Sequence, residues 1–482
     1  MSQRFSQKNL SLSPHTSSLP ILQAAPLVDL AISQGDTGPK KLNKYFIRTY
    51  GCQMNELDSE VMEGILQRKG MSSAKTEDEA DLLIFNTCSI RDLAERKAMG
   101  KIGQLSRRKG EKIIGVTGCM ANNKKEALFR KLPSIDFVLG TNNIHELSSV
   151  IDEALLTRSP VQRTAPSFFE ELNYVGAERK SKTSAFVSII RGCDKYCTYC
   201  IVPYTRGPEV SRSAESIIEE AKVLADQGVK ELTLLGQNVN SYGKDLNNGV
   251  LFHDLLAQID AIDGIERIRF MTSHPVDITL ELMQAVRDLK SVCEFVHFPI
   301  QAGSNRILKK MHRIYTLEEY LEKVSLFKKI VPNVALGTDI IVGFPTETDA
   351  EFEETYKVFE EIDFHVAFIF AYSERKGAPA ARWRDDIPEQ VKQERLQRLL
   401  QLHQTQQRQH RAALVGQEME VLVEGTSAKD PNVMQGRTRC WKSLLFPLQE
   451  NETASQHVGK LVKTKVHGFS NQTLLATDYS HG

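Results

Sequence analysis

The chain has 482 residues, 25% of them charged and 41% hydrophobic, and Lys plus Arg balance Asp plus Glu at 61 each. Such a length accommodates roughly three domains, and the zero net charge excludes a uniformly basic nucleic-acid binder, so an RNA surface has to be a local patch. No apolar run reaches the roughly 20 residues a membrane span needs, and eight cysteines are too sparse for a disulfide scaffold, so their clustering points to a metal in a reducing compartment.

Residues 1–42 are rich in Ser and Pro without periodicity and read as a disordered extension. Arg4, Lys8, several serines and no acid before Asp29 leave an organellar transit peptide open. Pro26 and Asp29 interrupt the apolar stretch 20–32, which argues against a secretory signal and for the tail of a cytoplasmic protein.

From residue 44 strands and helices alternate, which implies a parallel sheet. Strands are expected at 44–49 (KYFIRT), 82–86 (LLIFN), 112–117 (KIIGVT) and 137–140, with helices at 56–69, 91–108, 124–132 and 144–157. The expected N-terminal domain spans 43–158, and the polar stretch 159–178 reads as a linker. A second series, 179–411, has strands at 185–190, 231–235, 267–272, 295–299, 335–342 and 365–372, with helices between them. Six such units make an open, partial (βα)6 barrel whose chemistry belongs on the loops at the strand carboxyl ends. Residues 387–413 form a Gln/Arg-rich helix, and short strands at 418–423, 437–446, 460–469 and 473–477 make 412–480 a small all-β barrel. The fold class is therefore α/β with a C-terminal all-β barrel.

Cys193, Cys197 and Cys200 follow the first barrel strand in C-x3-C-x2-C spacing. A structural zinc site takes four ligands and an iron–sulfur cube four thiolates. Three thiolates ligate three irons of a cube and leave the fourth open to a small chelating ligand. The plainer reading is a zinc knuckle, against which stands the lack of a fourth Cys or His at finger-like spacing. Cys52, Cys88 and Cys119 each sit just past the end of a strand in the N-terminal domain. In a parallel sheet those ends share one edge, where ligands collect, so a second three-ligand cluster competes with three unrelated buried thiols. Cys293 and Cys440 have no such company; they read as strand core and as incidental.

The cysteine loop after a first barrel strand resembles the radical S-adenosylmethionine (SAM) enzymes. The wider set, 49–55 (TYGCQMN), 86–91 (NTCSIR), 118–121 (GCMA), 191–207 (RGCDKYCTYCIVPYTRG), 236–240 (GQNVN), 272–275 (TSHP), 339–345 (DIIVGFP) and 436–438 (GRT), resembles their methylthiotransferase family. The likeness runs over about 43–477. Segments 86–91 and 237–240 are most similar to the branch that thiolates isopentenyl-adenosine in tRNA; relatives act on threonylcarbamoyl-adenosine or on a ribosomal-protein aspartate. The family usually has Ser at Ala302 and Thr at Ala378, which loosens any reading of cofactor contacts there.

The resemblance implies two [4Fe-4S] clusters and SAM. Cys193, Cys197 and Cys200 hold the cube that binds SAM, and Cys52, Cys88 and Cys119 the auxiliary cluster that delivers sulfur. Reductive cleavage of SAM yields a 5′-deoxyadenosyl radical that attacks C2 of isopentenyl-adenosine at tRNA position 37, and a further SAM supplies the methyl group. Implied partners are the tRNA anticodon loop, an electron donor such as flavodoxin or ferredoxin, and a sulfur donor; no membrane is expected, and the chain is expected as a monomer. Glu347 is expected either near SAM or at a helix entry, since acids favour first turns. The C-terminal barrel resembles a TRAM domain, an RNA-binding module, with Arg437, Arg439, Trp441 and Lys442 as its candidate RNA contacts. A solvated edge strand with a packed Trp is the plainer reading of those four. An iron–sulfur RNA-binding regulator without catalysis is the reading from another functional class.

Overall fold

The protein is described from a computed structural model covering residues 41–89, 92–164, 179, 181–449 and 452–481. The expected extension, apart from residues 41 and 42, and most of the expected linker lie outside the described residues.

Strands β1 (Lys44–Thr49), β2 (Ser72–Ser73), β3 (Leu82–Thr87), β4 (Ile113–Gly118), β5 (Phe137–Leu139) and β6 (Val161–Arg163) form one parallel sheet in the order β2-β1-β3-β4-β5-β6. Helices α1 (Gln53–Arg68), α2 (Asp92–Ser106), α3 (Cys119–Lys124), α4 (Ala127–Lys131) and α5 (Leu147–Thr157) connect the strands. Along β3, Leu82 and Ile84 enter the core that includes α1 and α5, while Leu83 and Phe85 enter the core of α3 and α4. A strand buried on both faces needs a continuous apolar run, which is what 82–85 supplies. Val161–Arg163, expected as linker, pairs instead with β5 as the edge strand; three residues are too few to carry a periodic signal.

The second series supplies β7 (Ser184–Ser188), a short antiparallel pair β8 (Ile190–Arg191) and β9 (Val210–Ser211), then β10 (Glu231–Leu235), β11 (Arg267–Phe270), β12 (Phe295–His297), β13 (Ala335–Val342) and β14 (Val366–Ala371). Strands β7, β10 and β11 pair in parallel, as do β12, β13 and β14, and a bridge between Ile268 and Val292 joins the halves into an open arc of six strands. Helices α6 (Val202–Arg206), α7 (Ala214–Asp226), α8 (Phe252–Asp260), α9 (Leu280–Asp288), α10 (Asn305–Lys310), α11 (Leu317–Ile330), α12 (Asp349–Ile362) and α13 (Glu389–Ala413) accompany them. Two starts are written locally: Thr316 with Glu319 and Thr348 with Glu351 form reciprocal capping boxes for α11 and α12.

Strands β15 (Glu418–Thr426), β16 (Val433–Thr438), β17 (Ser443–Pro447), β18 (Leu461–Ser470), β19 (Thr473–Ala476) and β20 (Ser480–His481) form the C-terminal unit, closed by the pairing of β15 with β18. The single strand expected over 437–446 is two strands joined at 439–442, where Trp441 takes a left-handed φ of 67°. Among the described residues no helix is long and apolar enough to cross a membrane.

Candidate metal centres

Cys52 caps the N-terminus of α1, Cys88 follows β3, and Cys119 opens α3 directly after β4. Because β1, β3 and β4 are adjacent and parallel, the three thiols reach one sheet edge, as the strand-by-strand reading expects. The loops touch: a Cβ on Gly51 would lie 2.7 Å from the Cβ of Cys88. Cys88 and Cys119 are buried and Cys52 half-buried. Asn55, one turn into α1, ties the edge together by donating from Nδ2 to Tyr50 O, Asn86 Oδ1 and Thr87 O. Sequence reasoning missed Asn55 and Asp58 as site residues, because polar side chains three apart on a helix read as a solvated face until the fold shows them buried.

Sequence reasoning also missed what reaches this edge from the second series. Arg206, at the end of α6, donates from Nη2 to Asp58 Oδ2 at 3.0 Å and to Asn55 Oδ1 at 3.1 Å. Asp58 also pairs with Arg191 at 3.5 Å. Burial pushes the Cys119 thiol up, and the Arg206 guanidinium pulls it back down. Burial likewise opposes the charge of Arg206, and its neighbours Cys119, Asp58 and Cys52 more than offset it.

The second trio lies in the loop after β8. Cys193 N donates to Gly207 O, Cys200 N to Cys197 O, and Thr198 N to Met311 O, so backbone from three segments fixes the loop. Arg313 is buried and donates from Nη1 to Cys197 Sγ at 3.4 Å, from Nη2 to Pro299 O and from Nε to the Tyr315 hydroxyl. Burial pushes the thiols of Cys193 and Cys200 up to about 12 each. Metal binding has to displace those protons.

The donor chemistry fits an iron–sulfur cluster at each trio. Among the described residues no three His, Cys, Asp or Glu side chains close on one point as ligands of a single metal ion do. A cube asks for something else, because each thiolate takes its own iron. The barrel mouth also presents buried polar atoms without partners: Asn238 Oδ1, Ser273 Oγ, His274 Nε2 and Gln301 Oε1, all just past the ends of β10, β11 and β12. Such atoms normally find an acceptor or donor, and a polar cofactor bound beside the loop would supply them.

Gly192 sets the geometry just before Cys193. Its φ is +77°, and a Cβ there would lie 1.8 Å from Pro208 O. Gly192→Ala is expected to displace the loop and destabilise by at least about 2 kcal/mol through backbone strain. Anaerobic reconstitution should then give less bound iron than wild type, with a lowered melting temperature as the second readout.

The structure also places the remaining predicted residues. Glu347 is 2% exposed, and its Oε2 accepts from Gly343 N at 2.6 Å and from Arg395 Nη1 at 2.7 Å. Burial raises its carboxyl to about 7 against the pull of both partners. It does not cap α12, which Thr348 does, so it braces the loop after β13 rather than serving a helix entry. Arg437, Arg439, Trp441 and Lys442 do not form an exposed RNA face; they are half-buried where the C-terminal barrel docks on the open arc. Arg437 pairs with Glu424; Arg439 with Glu294 and Val292 O; Trp441 packs on Phe295 and under Arg269; burial depresses Lys442. Of these, Arg439 and Trp441 serve domain docking, while the Arg437 cation is paired within the C-terminal barrel. Cys293 is buried beside β12, and Cys440 lies 3.3 Å from Thr438 Oγ1, apart from both trios.

Comparison with known proteins agrees with this arrangement. Residues 44–140 match the model described as Uncharacterized protein family UPF0004, and residues 187–359 match the Radical SAM superfamily. A tRNA-2-methylthio-N(6)-dimethylallyladenosine synthase from Protochlamydia amoebophila is 64% identical over 438 residues, 90% of this chain and 96% of that protein. A protein of the same name from Clostridium botulinum is 45% identical over 430 residues, 88% of this chain and 94% of its own. Among solved structures, the radical S-adenosylmethionine methyltransferase TsrM from Kitasatospora setae superposes with a TM-score of 0.53 at 14% identity, covering 70% of this chain and 75% of TsrM, which speaks to fold alone. Six cysteines in two trios, the two family models and relatives identical at this level over nearly the whole chain lead to one conclusion: the chain belongs to the tRNA-2-methylthio-N(6)-dimethylallyladenosine synthase family of radical SAM enzymes.

Proposed function

We propose that this chain methylthiolates C2 of N6-isopentenyladenosine at position 37 of tRNA, with Cys193, Cys197 and Cys200 holding the cluster that binds SAM and Cys52, Cys88 and Cys119 the auxiliary one. The observation that carries the reading is the link between the two cysteine segments: Arg206, six residues beyond Cys200 at the end of α6, lies against Asn55 and Asp58 beside the thiols of the N-terminal sheet. When bound, the clusters and SAM supply radical formation, sulfur and methyl transfer. The chain's residues orient and enclose them. Arg313 holds Cys197 in register, Glu347 and Arg395 fix the loop after β13, and the unpartnered atoms of His274, Asn238 and Gln301 offer polar contacts at the barrel mouth.

Docking of Arg267 and Arg269 onto the C-terminal barrel sets the position of that barrel relative to the mouth. A TRAM-like module fixed in this way suits a tRNA loop whose base is extruded into a buried site. Electrons come from a flavodoxin- or ferredoxin-type donor and sulfur from a separate donor, in the cytoplasm, with the chain acting as a monomer. Mass spectrometry of tRNA nucleosides from a strain lacking the gene should show the methylthio-isopentenyl nucleoside replaced by its unthiolated precursor. Loss of a thiolated threonylcarbamoyl nucleoside instead would overturn the choice of substrate.

A further inference from the structure

Among the charged groups near the cysteines, Arg206 is a buried guanidinium only partly satisfied by its hydrogen bonds. It is 4% exposed, and its pairing with Asp58 and Asn55 uses Nη2 alone. Among the described residues Nη1 is buried without a hydrogen-bond partner, while the guanidinium also lies in hydrogen-bond contact with the Cys119 thiol. A guanidinium cannot shed its proton to relieve this, and a buried donor without an acceptor is costly. The side chain comes from α6, on the same loop segment as Cys193, Cys197 and Cys200, yet it lies against Cys119 and Cys52 of the other sheet. The segment is also tied across by Asn122 Nδ2, which donates to Thr205 O next to it.

We infer that Arg206 is a positioning and charge-tuning residue for the auxiliary cluster: a permanent cation, delivered by the SAM-cluster loop, that lies against the cluster's thiol ligands and raises its reduction potential. Charge and hydrogen bonds to sulfur are two of the levers that set such potentials. Asp58 is the counter-lever, since it partly neutralises the same guanidinium at 3.0 Å. The inference rests on the reading that Cys52, Cys88 and Cys119 hold a cluster.

The test uses the full chain with Cys193, Cys197 and Cys200 all changed to Ala, so that only the auxiliary cluster remains, followed by EPR during a redox titration. Roughly four irons per chain support the underlying reading; iron-free protein overturns that reading and this inference with it. On that background Arg206→Gln is expected to shift the oxidised-to-reduced ratio at fixed solution potential about tenfold toward oxidised, about 59 mV for one electron. Arg206→Lys is expected to shift it less. Asp58→Asn, which strengthens the uncompensated cation, is expected to move it the opposite way. Opposite signs are what a merely structural role would not produce. A midpoint unchanged in Arg206→Gln, or lowered in both variants, overturns the inference while four bound irons keep the cluster assignment. Should Arg206→Gln fail to fold, Asp58→Asn decides, with a midpoint that does not rise counting against it.

Discussion

Cys197→Ala is expected to abolish 5′-deoxyadenosine formation from SAM under dithionite, while Cys88→Ala leaves it within about threefold of wild type and abolishes thiolation. The two thiols are buried to similar degrees, so the contrast arises from where their chain segments lead. Cys197 sits in the loop at the barrel mouth, where Arg313 donates to its sulfur at 3.4 Å. On the proposed ligand set its loss removes one of three iron ligands beside the unpartnered atoms of Asn238, His274 and Gln301, and a cube held by two thiolates is not expected to be retained. Cys88 lies on the other sheet, next to Gly51 and Asn55, and its loss leaves the mouth intact. Reconstituted iron should fall from roughly eight to roughly four per chain in either variant. Product analysis by liquid chromatography separates them. Residual 5′-deoxyadenosine above background in Cys197→Ala, or thiolated product from Cys88→Ala, would show that the ligand sets are wrongly drawn.

How legible these features were depended on whether the signal was local. A thiol placed just past an apolar run, three times over, is a local pattern, and parallel pairing of β1, β3 and β4 turns it into one edge. The C-x3-C-x2-C loop is local as well. Arg206 was quoted within a motif and passed over, because a cation in a sequence looks the same whether it faces water or a buried carboxylate. Its partner Asp58 lies 148 residues away. The same ambiguity misled the reading of 437–442. Cations beside an aromatic suit RNA, but they also suit an interface whose other half, Arg267 and Arg269, lies 170 residues earlier. The alternation of β11 held a clue. RIRF sends Ile268 and Phe270 into the helix-packed core, and two arginines on the opposite face of a barrel strand need acceptors from somewhere.

Those acceptors define the stability of the C-terminal junction. Arg269 is 1% exposed; it donates from Nη1 to Arg439 O at 2.6 Å and from Nη2 to Thr438 O at 2.8 Å, and pairs with Glu231 at 2.8 Å. Its guanidinium also lies 4.8 Å from the centre of the Trp441 ring. Arg269→Ala therefore strands the carboxylate of Glu231, itself buried, and takes donors from two carbonyls at the β16–β17 turn. Removing one partner of a buried ion pair costs about 3–5 kcal/mol; that pair lies within the arc, between β10 and β11, directly behind the carbonyl and ring contacts that cross to the C-terminal barrel. The expected result is early release of the C-terminal barrel: proteolysis near α13 at temperatures where wild type is resistant, and faster hydrogen exchange in β16 and β17. Most of the cost is the orphaned Glu231 rather than the missing attraction, so Arg269→Met combined with Glu231→Gln should recover about half of it. If the double variant is as unstable as Arg269→Ala, the carbonyl and ring contacts carry the junction, and the ion pair is incidental to it.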